Sequence, residues 1–451
     1  MKKSDPLGEI EVPDDVLYGA QTQRAVNNFQ ISNIKVDKDL LESYLVIKKA
    51  AATANYKLSF LSEEKYMGIT KSVDYILHNF NYKDFPVDVY QAGAGTSTNM
   101  NVNEVIASVS LKMYRIEVHP NDEVNRSQSS NDTYPTALRL AIVKKYNKLE
   151  YNLSKLIDSF EKIERKYKNT FKVARTHLQD AAPITFGQEF SGNRNALKTD
   201  LERIKQTMPL IKRLSIGGTA VGNEINTPVN YKKVVVENIN KILDDDFLST
   251  ENLFEILQSM SDFSHFSAML RVLAEDLLKI SNDFRLLNTG PIAGIHELIL
   301  PVVQPGSSII PGKINPSIAE AMNMICFKVI GNDHTVSIAN QAGQLELNVM
   351  MPIISYSILE SLNIITNGLI MFRERLISDL KVDVERAKEL LDKSNVTAIL
   401  FAPYLGYDTV AKLVKEANRN NKKIEDLIVE RKLLKKEQVI EIVKKYKKLT
   451  N

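Results

Sequence analysis

The chain has 451 residues, 44% of them apolar, and a formal net charge of +3. This allows a large buried core split among two or three domains, and the balanced charge leaves no nucleic-acid footprint. A single cysteine, Cys326, excludes an intrachain disulfide framework and fits a reducing, cytoplasmic compartment.

The N-terminal MKKSDPLGEIEVPDD carries two lysines but no apolar stretch of the signal-peptide kind. Pro6-Leu7-Gly8 and Val12-Pro13-Asp14-Asp15 are turn signals. Residues 40–58 read as an alanine-rich packed helix, and the Gly93–Thr98 run, GAGTST, as a loop. From Asp132 to Ser378 the helical period dominates, with apolar residues at i, i+3, i+4 spacing over 134–168, 188–214, 263–287, 317–349 and 352–380. Such lengths predict a long-helix bundle. The apolar run at 349–365 is interrupted by Pro352, Ser355, Glu360 and Asn363, so a buried helix rather than a membrane span is expected. After about Val384 short helices predict a small C-terminal domain. Its lysines beyond Asn421 alternate with Glu425, Asp426, Glu430, Glu437 and Glu441, as on a solvated helix face. The expectation is a mainly α chain in three segments: 1–126 mixed but mostly helical, 127–383 the central bundle, and 384–451 a small helical domain.

Three loops could carry chemistry. Residues 304–320 read QPGSSIIPGKINPSIAE. Gly306 and Gly312 allow close backbone approach to a ligand, and successive N–H groups in such a turn form an anion-binding concavity. Asn315-Pro316 reads as a helix start, with asparagine as N-cap and proline first in the helix, which aims further donors at an anion. Lys313 adds a full charge. These features describe a carboxylate or phosphate clamp, although a helix-capping turn with an exposed lysine has the same residues. The second loop, Ser127-Gln128-Ser129-Ser130-Asn131-Asp132, is dense in hydrogen-bonding groups and also reads as an elaborate N-cap. The third, Arg175-Thr176-His177-Leu178-Gln179-Asp180, sets a histidine beside a threonine and an arginine; a lone histidine is more often structural than catalytic. No histidine has a second histidine or the cysteine at metal-ligand spacing, so no transition-metal site is expected. Walker A and Rossmann fingerprints are absent.

Together the loops supply hydroxyls, amides, a lysine and a histidine, but no strong base. That set suits a dicarboxylate whose transition state gains negative charge, as when a proton leaves the carbon beside a carboxylate. Lys313 and Asn315 are candidate donors to the resulting enediolate. A serine can take the proton if its alkoxide is stabilised by a lysine and backbone N–H groups.

Beyond this reading, the 306–316 loop resembles the signature of the fumarase/aspartase superfamily. The resemblance extends over nearly the whole chain, through LYGAQTQRAVNNFQIS, AGTSTNMNVNEV, SQSSND, ARTHLQDAAPITFGQEF, GGTAVG and FKVIGND…GQLELNVM. It implies β-elimination from a succinate-type compound with release of fumarate. FPVDVYQAGAGTSTNMN, HLQDAAP, CFKVIGND and the lack of any tryptophan resemble the aspartate ammonia-lyase (aspartase) branch. Ser129-Ser130-Asn131 resembles the class II fumarase form, leaving fumarate hydration as the rival reaction and a catalytically quiet scaffold as a third reading. The resemblance further implies that Ser307 removes the Cβ proton and that Lys313 and Asn315 hold carboxylates. Thr98, Ser129, Ser130, Asn131 and Thr176 would bind carboxylate and amino groups. His177 would contact a carboxylate, with Glu320 as its partner. It implies a homotetramer whose sites draw on three subunits, no required cofactor, and room for divalent-cation activation; neither a nucleic-acid nor a membrane partner is expected. The chain departs from the family pattern at Ile310, where methionine is usual, at Asn223-Glu224, at Ile292 in place of an arginine, and at Glu123 in place of a histidine. Glu224 and Ile292 lower the positive charge expected near a dicarboxylate.

Overall fold

The computed structural model describes residues 1–449. In chain order, a hairpin of β1 (Lys2–Asp5) and β2 (Gly8–Glu11) precedes helices α1 (Ala20–Asn28), α2 (Lys38–Lys57), α3 (Glu63–His78), α4 (Thr96–Tyr114) and α5 (Ser130–Lys166). A second antiparallel hairpin, β3 (Phe171–Thr176) and β4 (Gln179–Thr185), leads into α6 (Phe186–Ile211). Then follow α7 (Tyr231–Leu243), α8 (Leu253–Gln258), α9 (Ser261–Leu287), α10 (Ser317–Gln341) and α11 (Met351–Arg375). Short helices fill the remainder from Val384. The mainly α, long-helix architecture matches the sequence reading.

Local chemistry explains the helices. Asp37 caps α2 by accepting from Asp39 N, and Ser62 caps α3 by accepting from Lys65 N. The alanines of α2 allow close packing, and Ala50, Ala51 and Ala54 are fully buried. Helix α5, at 37 residues, extends about 55 Å. Stretch Met351–Asp379 is apolar and long enough to cross a bilayer, but more than half of its most apolar window is buried in the protein. Ile354, Ile358, Leu362, Ile365 and Leu369 of α11 are core residues.

Two compact units divide the chain. The first takes Met1–Glu150, Glu202–Ala274 and Phe327–Thr366; the second takes Tyr151–Leu201, Glu275–Cys326 and the stretch from Asn367 onward. These non-consecutive stretches cut across the three consecutive segments expected, because the divisions fall inside the five long helices α5, α6, α9, α10 and α11. The C-terminal stretch does have its own apolar cluster, built on Phe401, Leu413, Ala417, Ile424 and Ile428.

Three local expectations are corrected. Helix α10 ends at Gln341, not near Val349, because Asn348 turns back and donates to the carbonyls of Ala339 and Asn340 at 3.1 Å each. ARTHLQDAAP forms most of the β3–β4 hairpin rather than an open loop. The supposed loop at Gly93–Thr98 is a short turn followed by the first residues of α4.

Candidate active site

In the first unit the N-termini of α4 and α5 converge. Gly95 precedes α4 in a left-handed conformation (φ +67°), and a Cβ there would lie 1.7 Å from the Tyr134 ring. Only glycine fits this approach. It brings Thr96, the first residue of α4, to Ser130, the first residue of α5, with the two hydroxyl oxygens 3.0 Å apart. Each helix start exposes N–H donors and the positive end of its dipole, so a carboxylate is favoured there.

Thr98 lies elsewhere. It is fully buried, and its N–H and hydroxyl both donate to the Gln91 side-chain oxygen, at 3.0 and 2.7 Å. The expected substrate-binding threonine is thus turned into the core, and Thr96 is the exposed hydroxyl of this segment. Nothing in the local spacing separates the two; only the helix start decides.

Ser129, Ser130 and Asn131 are half-buried. Ser129 and Asp132 form a reciprocal cap: Asn131 N donates to Ser129 Oγ at 3.2 Å, and Ser129 N donates to Asp132 Oδ1 at 2.9 Å. The N-cap reading of SQSSND therefore holds for Ser129, while Ser130 and Asn131 point their side chains beyond the cap. Asn131 Nδ2 donates to the Ala220 carbonyl at 2.8 Å, which ties this segment to the GGTAVG turn. Asp132 Oδ2 accepts from Gly217 N and Thr219 N at 3.0 and 2.9 Å. Asp132 is fully buried, and burial pushes its carboxyl up to about 7 against the pull of these donors. Lys48, buried on α2, donates to Asn99 and Asn125, and burial lowers its ammonium to about 7. The sequence reading missed Asp132, although the Ser-x-x-Asp pattern is a capping signal.

The second unit presents the other group. His177 and Leu178 form the two-residue turn of the β3–β4 hairpin, both left-handed at φ +54° and +59°. This is the type I′ geometry, normally built from glycine or asparagine. A histidine and a leucine there cost about 1–2 kcal/mol each, so the tip is held against local preference, a pattern concentrated at functional sites. Thr176 and His177 are exposed at the tip. Behind them Arg175 donates to the buried Glu297 at 2.9 and 3.3 Å, and Lys172 pairs with the same carboxylate at 3.3 Å. No sequence pattern flags Glu297 as the hairpin's anchor.

In the 304–316 loop, Gly306 N donates to the Lys313 carbonyl at 3.0 Å, and a Cβ on Gly306 would collide with that oxygen. Asn315 Nδ2 donates to the Gly306 carbonyl at 2.5 Å, which closes the loop. Asn315 is therefore a loop clasp, not the N-cap expected, and α10 begins at Ser317. Ser307 Oγ accepts from Ile309 N at 3.2 Å and Ile310 N at 2.9 Å. Lys313 is exposed and forms no ion pair among the described residues. Glu320, half-buried in the first turn of α10, and His177 make no hydrogen bond or ion pair with each other among the described residues.

The departures take definite places. Ile310 serves Ser307 through its backbone, so loss of a methionine side chain leaves that hydrogen bond. Glu224 pairs with Lys232 at 2.9 Å, which offsets its charge locally. Glu123 accepts from His119 N. Ile292 stands 90% exposed. Among the described residues no three of His, Cys, Asp and Glu gather closely enough to hold a metal ion.

The chain is similar to known lyases in sequence and in fold. A lyase family model matches residues 8–331, and a fumarase C C-terminus model matches 396–451. The chain is 40% identical to an aspartate ammonia-lyase of Pseudomonas aeruginosa, over 98% of this chain and 95% of that one. It is 38% identical to a class II fumarate hydratase of Oceanobacillus iheyensis, over 98% and 97%. The crystal structure of class II fumarase from Schistosoma mansoni superposes with a TM-score of 0.95 at 35% identity, covering 98% of each chain. With its helix starts, hairpin tip and serine loop accounted for, the chain belongs to the lyase family of the fumarase/aspartase superfamily and is an enzyme of that class.

Proposed function

We propose that the protein is an aspartate ammonia-lyase, converting L-aspartate reversibly to fumarate and ammonium. The observation that carries the reading is Ser307, whose oxygen accepts two backbone N–H groups within a loop that also bears the exposed Lys313, which forms no ion pair among the described residues. That setting stabilises an alkoxide. The alkoxide takes the proton from Cβ, and the electron pair moves into the adjacent carboxylate as an enediolate. The pair returns to form the double bond as the Cα–N bond breaks with its electrons on nitrogen. Ammonia departs and takes up the proton carried off by Ser307, so aspartate becomes fumarate and ammonium in balance.

Thr96, Ser130 and Asn131 hold one carboxylate at the paired helix starts, with Ser129 supporting them. Thr176, His177, Lys313 and Asn315 serve the other carboxylate, and Lys313 carries the charge of the enediolate. His177 and Glu320 share no hydrogen bond or ion pair among the described residues, and the site residues are distributed over two units. A homotetramer with sites shared among three subunits accounts for both. Phe327 and Ile338, 58% and 55% exposed on α10, supply apolar surface for such an assembly. The reading requires no organic cofactor and is compatible with divalent-cation activation; the single buried Cys326 supports a cytoplasmic enzyme.

The amino substrate is favoured by the aspartase-like 85–101 segment and by the Pseudomonas relative. Fumarate hydration is the second reading, favoured by Ser129-Ser130-Asn131 and by the fumarase relatives. Fumarate absorbance during incubation with L-aspartate, then with L-malate, tests both. Fumarate from aspartate alone upholds the proposal, fumarate from malate alone replaces it with the second reading, and turnover of neither removes both.

A further inference from the structure

We infer that Asp132 is a positioning residue for the substrate clamp, tying Ser129–Asn131 to the Gly217–Thr219 turn and thereby setting dicarboxylate affinity. The inference rests on the reading of Ser130 and Asn131 as substrate ligands.

One buried carboxylate faces three backbone donors from segments some 85 residues apart: Ser129 N on one oxygen, Gly217 N and Thr219 N on the other. An ionised carboxylate offers only acceptors, so it suits three donors where a neutral amide does not. Within the partner turn Gly218 N donates to the Ser215 carbonyl at 3.1 Å and Gly222 N to the Gly218 carbonyl at 2.9 Å, while the N–H groups of Gly217 and Thr219 are taken by Asp132. Thr219 is a left-handed non-glycine residue (φ +54°), and its own hydroxyl is buried with no partner among the described residues. Ala220, next in that turn, supplies the carbonyl that orients the Asn131 side chain. If the carboxylate lets go, Thr219 relaxes, the Ala220 carbonyl moves and Asn131 loses its orientation.

Charge supports the same role. The groups that face Asp132 in the buried interior are Lys48 and Tyr44 of α2 and Tyr231 of α7. The Tyr231 hydroxyl is buried and forms no hydrogen bond among the described residues, and the buried Tyr44 hydroxyl lies toward Thr133. Lys48 is the one cation of the set, and it is fixed by Asn99 of α4 and by Asn125, just before the clamp. Burial raises the Asp132 carboxyl to about 7. Below that pH the carboxyl is neutral and a weaker acceptor for its three N–H donors, so the clamp loosens and affinity falls as pH drops.

The test is Asp132→Asn, which keeps the size and sets an amide hydrogen against a backbone donor. Kinetics with L-aspartate and calorimetric binding of succinate are measured together. KM and the succinate Kd should both rise about tenfold, the worth of one hydrogen bond to a charged group, with kcat within about threefold. A purely structural role would lower the active fraction, reducing kcat and leaving KM unchanged. That result, or no change in either constant, overturns the inference. If the unmodified protein binds succinate but turns over neither L-aspartate nor L-malate, the proposed reaction fails, and succinate binding alone still decides the role of Asp132. If Asp132→Asn does not fold, hydrogen exchange of the unmodified protein replaces it. After correction for intrinsic rates, peptides spanning 129–133 and 215–220 should lose protection together between about pH 8 and about pH 6. Independent loss overturns the tie.

Discussion

Ser129 and Ser307 are both serines whose hydroxyl accepts a backbone N–H, yet little else about their surroundings is shared. Ser129 belongs to a helix cap backed by a fully buried aspartate, a buried lysine and two interlocked segments. Ser307 lies in a loop closed mainly by its own backbone and by Asn315, with Ile309 and Lys313 exposed around it. On the proposed reading, the difference follows from what each would do. A group that recognises a carboxylate gains from preorganisation, because donors already in place cost no ordering on binding. A group that takes a proton and later gives it up gains from a setting that stabilises both its charged and neutral forms and admits the substrate. On the proposed reading, the first unit sets buried charge behind the carboxylate clamp, and the second keeps the base on a loop.

The largest expected effect falls on the loop. Ser307→Ala should lower kcat by about 10²–10⁴-fold while the melting temperature stays within a few degrees, since the residue is only half-buried. Full activity with intact folding would move the base elsewhere and erase the contrast. Next comes the clamp's packing. Gly95→Ala places a methyl against the Tyr134 ring in a left-handed conformation and should cost about 3 kcal/mol, read as a fall in the urea midpoint; an unchanged midpoint would mean that the α4 start is adaptable. A paired substitution then asks which threonine faces substrate. Thr96→Val should raise KM about tenfold with little change in stability, while Thr98→Val should lower stability by about 1 kcal/mol and leave KM alone. The reverse pattern would restore Thr98 to the site.

The smallest effect concerns acid stability in the first unit. Burial raises the Asp39 carboxyl, but Lys144 and Lys145, each at 2.6 Å, outweigh it and hold it at about 2. A carboxyl held below its unfolded value contributes stability that is present above about pH 4 and lost as pH falls toward 2. After allowance for solvent screening, about 1 kcal/mol is at stake. Asp39→Asn should lower stability at pH 7 and flatten its decline over that range; an unchanged acid limb would place the contribution elsewhere.

Much of this was legible in the residues. The 3.6-residue period located the long helices, since it depends only on which side chains avoid water. The glycines at 306 and 312 and the hydroxyl-rich 127–132 stretch marked two of the three candidate loops. The misreadings have local causes. Thr96 and Thr98 stand two residues apart in one motif, and only the start of α4, set by Gly95 against Tyr134, decides which is buried. Asn315 and Pro316 read as a cap, but the Gly306 carbonyl takes the asparagine's N–H group. The type I′ turn at His177-Leu178 contradicts local preference, so no turn signal announced it.

By itself the sequence determined a mainly α chain with long amphipathic helices, the donor-rich loops and the membership of a lyase superfamily, because these depend on composition, period and motif order. Tertiary structure decided which hydroxyl is exposed, which carboxylate holds two distant segments together, and how the compact units cut across the long helices. Those outcomes depend on burial and on partners far apart in the chain: Gly217 is 85 residues from the Asp132 carboxylate that accepts its N–H, and Glu297 is 122 residues from the arginine it anchors.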